Sequence, residues 1–442
     1  MILFLSRLLI AVLICATSHC AYADDGPLRR RADLGAAIAA PEDGKPARIV
    51  RFRPDSVLEK AGLRIGDRIV AMDGRPLTDA SAFASIFREV RAGDRIRIDA
   101  LRGNEMLTVD IRAPTMREET IEGLVVRYGE ARSERGYRVR TYTTRPAMAR
   151  GRLPVVVFIP WLSCDAVEAP FGPRTDGWAR MLNVVMRGVP AQFVRIEKPG
   201  VGDSEGPDCG VADLDHDLAA FRAGIRAALA DPGVDPQRLI LFGGSIGGAL
   251  AAVLAQEFSP GGMVVAGGFA RTWYEHILGH ERRRLTLSGK SPAEVNAAMK
   301  LFAQLYALVL LEAQTPRQAV AAKPELGKVW YGAPEQQFGR PTRYYQQVQG
   351  LDVEGAWARV QVPTLVLWGD YDWIMGRDDQ ERITAIVGAR DPTLATFVVR
   401  HGMNHHFDVF ASPRDAFVEE NGTFDEGAAE LIAGWLRARL KD

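Results

Sequence analysis

From about residue 119 to the C-terminus, short apolar runs alternate with longer stretches of helical spacing. The runs Leu153 to Ile159, Gln192 to Ile196, Arg238 to Phe242, Met263 to Ala266, Thr364 to Trp368 and Thr396 to Val399 read as strands. Being continuous rather than alternating, they fit a largely parallel sheet covered by helices on both faces. Two earlier runs, Ile121 to Tyr128 and Tyr137 to Thr144, are separated by Gly129 to Gly136 and predict a hairpin, so the sheet starts antiparallel. Helices are expected at Ala212 to Ala230, Ser245 to Gln256 and Glu426 to Arg439. The alternation breaks once, over about 271–350, where no strand is expected. There Met299, Phe302, Leu305, Tyr306, Val309 and Leu310 give a helical run from Ala293 to Ala313. A helical insertion at that point of a parallel sheet is where a lid would sit. Its aromatics, Trp273, Tyr274, Trp330, Tyr331, Tyr344 and Tyr345, are either cavity lining or lid core.

The pattern ahead of residue 119 is different. Alternation at Arg48 to Phe52, a helical turn at Val57 to Ala61, a helix at Ala80 to Val90 and strands at Arg95 to Leu101 and Met106 to Ile111 make a small β-rich unit over 34–113. Pro114 to Glu119 reads as a linker. The first residues, MILFLSRLLIAVLICATSHCAYA, carry one Arg, a short apolar run and small residues at Ala21 and Ala23, the pattern of a signal peptide over 1–23. Export to the periplasm or the medium is the expectation that follows, and Cys20 fits a lipidation box poorly. Beyond that segment Cys164 and Cys209 form an even pair in an oxidising compartment.

The formal net charge of zero over 442 residues gives no sign of nucleic acid or of an anionic membrane surface as partner. The 47% hydrophobic content is enough for more than one core.

The chemistry gathers around RLILFGGSIGGALAAVLA, where Gly243, Ser245 and Gly247 form G-x-S-x-G between a strand and a small-residue helix. A serine hydroxyl needs a base to act as nucleophile, and the base is normally a His held by a carboxylate. Later strands end at Gly369, Asp370, Tyr371 and Asp372, and at His401, His405 and His406. The histidines do not make H-E-x-x-H and the cysteines do not make C-x-x-C, so no metal site is expected.

On these residues the chain from Glu119 onward resembles the α/β-hydrolase superfamily, with its order of nucleophile, acid and base. The resemblance implies Ser245 as nucleophile, Asp372 as acid and His405 as base, with Asp370 and His406 as near rivals. It also implies an oxyanion hole from the backbone of Ile246 and of Trp161, with Leu162 as second choice, since Pro160 has no N–H. The turn at Gly200, Gly202, Asp203 and Ser204 is expected to wall the site. Loops bearing Cys164 and Cys209 should both emerge at the carboxyl edge of such a sheet, where a disulfide would pin the oxyanion loop.

The unit before it resembles a bacterial PDZ domain through Ala61, Gly62, Leu63, Gly66, Asp67, Ile69 and Gly74. That resemblance implies a peptide C-terminus held by the loop Leu34, Gly35 and Ala36. Together they imply an exported serine hydrolase acting on a small ester or other acyl substrate without a cofactor. A peptidase, an acyltransferase and an inert scaffold are the alternatives. Ser245 at the elbow excludes the Asp-nucleophile chemistries of this fold.

Overall fold

The computed structural model describes residues 26–41, 46–169, 176–332 and 335–441. The expected signal peptide, with Cys20, lies outside them.

The N-terminal unit is built from β1 (Ala36–Ala39), β2 (Ala47–Phe52), α1 (Val57–Lys60), β3 (Arg68–Met72), β4 (Arg75–Pro76), α2 (Ala80–Glu89), β5 (Arg95–Arg102) and β6 (Glu105–Arg112). Its sheet runs in the order β1-β2-β3-β5-β6 with every pairing antiparallel, and β4 pairs with β3. The alternation of RIRIDALR turns Ile96, Ile98 and Ala100 inward onto Ile49, Leu58, Leu63 and Ile69. Helix α2 closes this core with Ile86, and Phe83 and Phe87 lie partly buried beside it.

The larger domain carries β7 (Leu124–Arg132), β8 (Arg138–Pro146), β9 (Leu153–Ile159), β10 (Gln192–Ile196), β11 (Val234–Gly244), β12 (Gly262–Ala266), β13 (Gln336–Gln337), β14 (Arg340–Pro341), β15 (Thr364–Gly369) and β16 (Ala395–Arg400). Eight of these make one sheet, in the order β16-β15-β12-β11-β9-β10-β8-β7. The hairpin β7–β8 and the β8–β10 pairing are antiparallel, and the rest are parallel. Helices α4 (Leu214–Ala230) and α5 (Ile246–Phe258) cover one face. Helix α3 (Gly177–Gly188) and the helix Glu426–Arg439 cover the other. Burial from both sides explains why the central strands show no polar alternation.

Between β12 and β15 stands the helical insertion, opened by α6 (Trp273–Leu287) and α7 (Pro292–Tyr306), each begun by a capping box. The helix expected from Ala293 to Ala313 ends at Tyr306, and Ala307–Leu311 widens into a π-turn whose Val309 carbonyl accepts from Gln346 Nε2. The insertion also contains the two-residue strands β13 and β14, where no strand was expected. Neither shows hydrophobic patterning, because the hairpin is held by side-chain hydrogen bonds: Gln336 Nε2 to the Gly210 carbonyl, and the Tyr345 hydroxyl to the Gln337 carbonyl.

The N-terminal segment joins the two units. Arg31 bridges to Arg91 and Ala32 to Thr115. Between them and Leu28, Arg30 lies over the Tyr128 ring and reaches Asp203 (2.6 Å) and Glu168 (2.7 Å), both with fully buried side chains. Arg88 on α2 adds an ion pair to Asp208.

Candidate active site

At the end of β11 the backbone turns sharply, and Ser245 is left-handed at φ 59° and ψ −130°. A non-glycine residue in that region is strained and persists only where its surroundings fix it. Here the Ser245 amide donates to Ala266 O on β12 (2.9 Å), and its carbonyl accepts from Gly248 N (2.9 Å). Although Ser245 stands at the N-cap position of α5, its side chain makes no capping hydrogen bond, which leaves the hydroxyl available. The helix can begin so close to the sheet because Gly247 carries no Cβ. One built there collides with the carbonyl oxygens of Ile159 and Pro160. Trp161, the residue after Pro160, and Ile246, at the positive end of α5, both line the same cavity.

The two strands on the other side deliver a carboxylate and an imidazole. Asp372 Oδ1 accepts from Ile374 N (2.9 Å) and Met375 N (2.8 Å), which leaves Oδ2 for His405 Nδ1 at 2.7 Å. Both side chains are buried. Trp178 on α3 packs edge-on to the His405 ring at 5.8 Å. Gly267, left-handed at φ 60°, backs the pair, and a Cβ there would lie 3.2 Å from Asp372 Oδ2.

The rivals are engaged elsewhere. Asp370 pairs with His401 (2.7 Å) and accepts from Gly402 N (2.6 Å), and the His401 side chain is 87% exposed. His406 pairs with Glu419 at 2.5 Å. Burial works against the charged form of His406, but the Glu419 hydrogen bond and charge outweigh it and raise its pKa.

Ser245, Ile246, Trp161, Leu162, His405 and His406 line one cavity of about 450 Å³. Its apolar wall comes from Trp178, Trp273, Ile277, Phe338, Trp373 and Met375, and its polar rim includes Asp165 and Asp176. Of the six aromatics singled out in the insertion, Trp273 lies on this wall. Tyr344 and Tyr345 are buried behind it, with Tyr345 stacked on Trp273 at 5.3 Å. The turn Gly200 to Ser204 does not line the cavity among the described residues. Its Asp203 instead binds Arg30 and Arg140.

Two histidines one turn apart on α6, His276 and His280, also line the cavity. His276 Nδ1 is 3.4 Å from Asp379 Oδ2. Burial, with the charges of His276, Arg283 and Arg284, holds His280 well below its usual pKa. The i, i+4 spacing was the available signal, but a mixed apolar and basic helix gives no indication of which face is covered.

The disulfide expected from the sequence joins Cys164 and Cys209, with Cα atoms 5.8 Å apart. In the smaller unit Leu34, Gly35 and Ala36 lead into β1, the terminal strand of its sheet. The Gly35 amide donates to Asp33 Oδ1 at 2.9 Å, and Asp33 pairs with Arg53.

Residues 171–420 match the family model described as "Alpha/beta hydrolase family", and residues 32–112 match that of the PDZ domain. A 72-residue stretch is 32% identical to the "Putative serine protease HhoA" of Synechocystis sp.. It covers 16% of this chain and 18% of that protein, so the chain spans less than a fifth of this relative's length. Similar solved structures include carboxyl esterase 2 of the fungus Tuber melanosporum, at 16% identity and TM-score 0.43 over 74% of this chain and 90% of that one. An esterase of Pyrococcus furiosus gives 11% identity and TM-score 0.43 over 74% and 98%.

Proposed function

On the premise that the chain belongs to the alpha/beta hydrolase family and carries a PDZ domain ahead of the hydrolase, we propose that it is an exported serine hydrolase cleaving carboxylic esters through an acyl-enzyme. Ser245 attacks the carbonyl carbon, and His405 Nε2 takes its proton and returns it to the leaving alcohol. Asp372 holds the His405 tautomer and stabilises the imidazolium. The amides of Ile246 and Trp161 receive the developing oxyanion. Water, activated by the same His405, then releases the acid and restores Ser245.

The observation that carries this reading is the strained, uncapped Ser245 on the same cavity as a buried His405–Asp372 pair. The largely apolar wall favours an uncharged acyl or alcohol group, and the Cys164–Cys209 disulfide favours an oxidising compartment. A fluorophosphonate probe is expected to label Ser245, located by mass spectrometry of the modified peptide. p-Nitrophenyl esters of graded chain length should then show an optimum. A folded protein that takes no label and turns over no ester would end this reading.

In the same reading the PDZ domain adds an extended peptide to the free edge of β1. The Gly35 amide is already taken by the Asp33 carboxylate, which Arg53 in turn pairs, so a peptide C-terminus finds that donor occupied. Amidated peptides are therefore expected to bind at least as tightly as free acids in a fluorescence anisotropy titration. A free acid binding ~10-fold or more tightly would contradict this.

A further inference from the structure

Two consecutive carbonyls follow Trp161 in its loop, and each is held by a buried cation. Ser163 O accepts from Lys198 Nζ at 2.7 Å, and Leu162 O accepts from Arg340 Nε at 3.1 Å. Arg340 belongs to β14, in the hairpin of the helical insertion, and its side chain is 0% exposed. Its Nη1 donates to Cys209 O at 3.1 Å, its Nη2 pairs with Asp217, and its guanidinium lies 4.6 Å over the Tyr344 ring. Burying a guanidinium is costly unless its donors are used, and here each of its three nitrogens has a partner.

The two carbonyls it joins lie in the same two loops that the Cys164–Cys209 disulfide joins. The connection is therefore made twice, once covalently and once by a side chain that the insertion supplies. Between the end of β9 and the braced carbonyls only Pro160 and Trp161 intervene, so the setting of the Trp161 amide depends on where Leu162 and Ser163 are held.

We propose that Arg340 is a positioning residue for the reaction: it holds the Trp161 loop in register from the inserted hairpin, in parallel with the disulfide. The inference rests on the reading of Trp161 as an oxyanion donor. Preorganised donors act only if they are in place before charge develops, so a loosened loop costs turnover rather than substrate binding. With two braces in parallel, losing either one loosens the loop in part, and losing both loosens it by more than the two losses combined.

The test compares three folded proteins, checked by near-UV circular dichroism. Arg340→Met with Asp217→Asn removes the ion pair without stranding a buried charge. Cys164→Ala with Cys209→Ala removes the disulfide, and the third protein carries all four changes. The first is expected to lower kcat about 10-fold with KM within about 2-fold. The second should lower kcat by less than about 3-fold, and the third should fall well below the product of the two effects. Amide hydrogen exchange over 161–164 should accelerate in the same order. A kcat within about 2-fold of the parent in the first protein, or effects that simply multiply, would overturn the proposal. Should the parent Ser245 take no fluorophosphonate, the hydrolase reading fails separately. Exchange then decides the brace on its own: acceleration supports it, and unchanged exchange refutes it.

Discussion

Asp372→Asn is expected to lower kcat by a factor of ~10⁴, the order found when the orienting carboxylate of a serine triad is replaced by its amide. The geometry gives the reason. Asp372 Oδ2 accepts from His405 Nδ1 at 2.7 Å, and its other oxygen is committed to the amides of Ile374 and Met375. With Oδ1 so fixed, the amide that replaces Oδ2 presents N–H to Nδ1, and the imidazole must turn its proton to Nε2. A protonated Nε2 cannot take a proton from Ser245. Asp370→Asn, two residues away, is expected to stay within about 3-fold of the parent, because its partner His401 is a solvent-facing ring and exposed pairs contribute little. Steady-state kinetics on a p-nitrophenyl ester distinguishes the two, and equal losses would remove Asp372 from the orienting role.

The second large effect is on stability. Asp379 is fully buried and binds the Ala270 amide, the Arg271 guanidinium and His276 at the start of the insertion. Burial alone would raise its pKa, but the hydrogen bonds from His276 and Arg271 outweigh it and hold the carboxyl well below the usual range. Asp379→Asn keeps the shape and removes the charge, and is expected to cost about 3 kcal/mol at neutral pH. The sign of the pH dependence follows from the depressed folded pKa. The contribution is fully present above the unfolded value of about 3.9 and is lost as pH falls through the folded one. Urea unfolding of both proteins should therefore show a gap that narrows as pH falls below about 4. A gap that widens over that range would show that the ionised carboxylate is not the stabilising form.

What could be read in the sequence follows from how each feature is encoded. Strands buried on both faces leave continuous apolar runs, so the sheet from Leu153 to Val399 was legible, as was the Ser245 turn between a strand and a helix. The cysteine pairing was legible because both loops leave the same edge of the sheet. Partnerships between distant polar side chains were not. Nothing near Asp370 or Asp372 says that one meets an exposed His401 and the other a buried His405. Nothing near His406 points to Glu419 on the far side of the following helix. The hairpin of β13 and β14 was missed because it is fixed by hydrogen bonds from Gln336 and Tyr345 rather than by hydrophobic alternation. Arg340 was missed because an arginine in a polar stretch reads as solvated, and only three-dimensional contact shows it to be enclosed.

The position of Arg30 bears on how such a protein could be inherited. Glu168 and Asp203 are enclosed carboxylates of the hydrolase, yet two of their cations, Arg30 and Arg31, come from a segment that precedes the PDZ domain in the chain. A recombination that cut in the linker at Pro114 to Glu119 would pass on those carboxylates without these arginines. The two domains are adjacent in sequence but interlaced in dependence, and the heritable unit is the whole stretch from Leu28 onward.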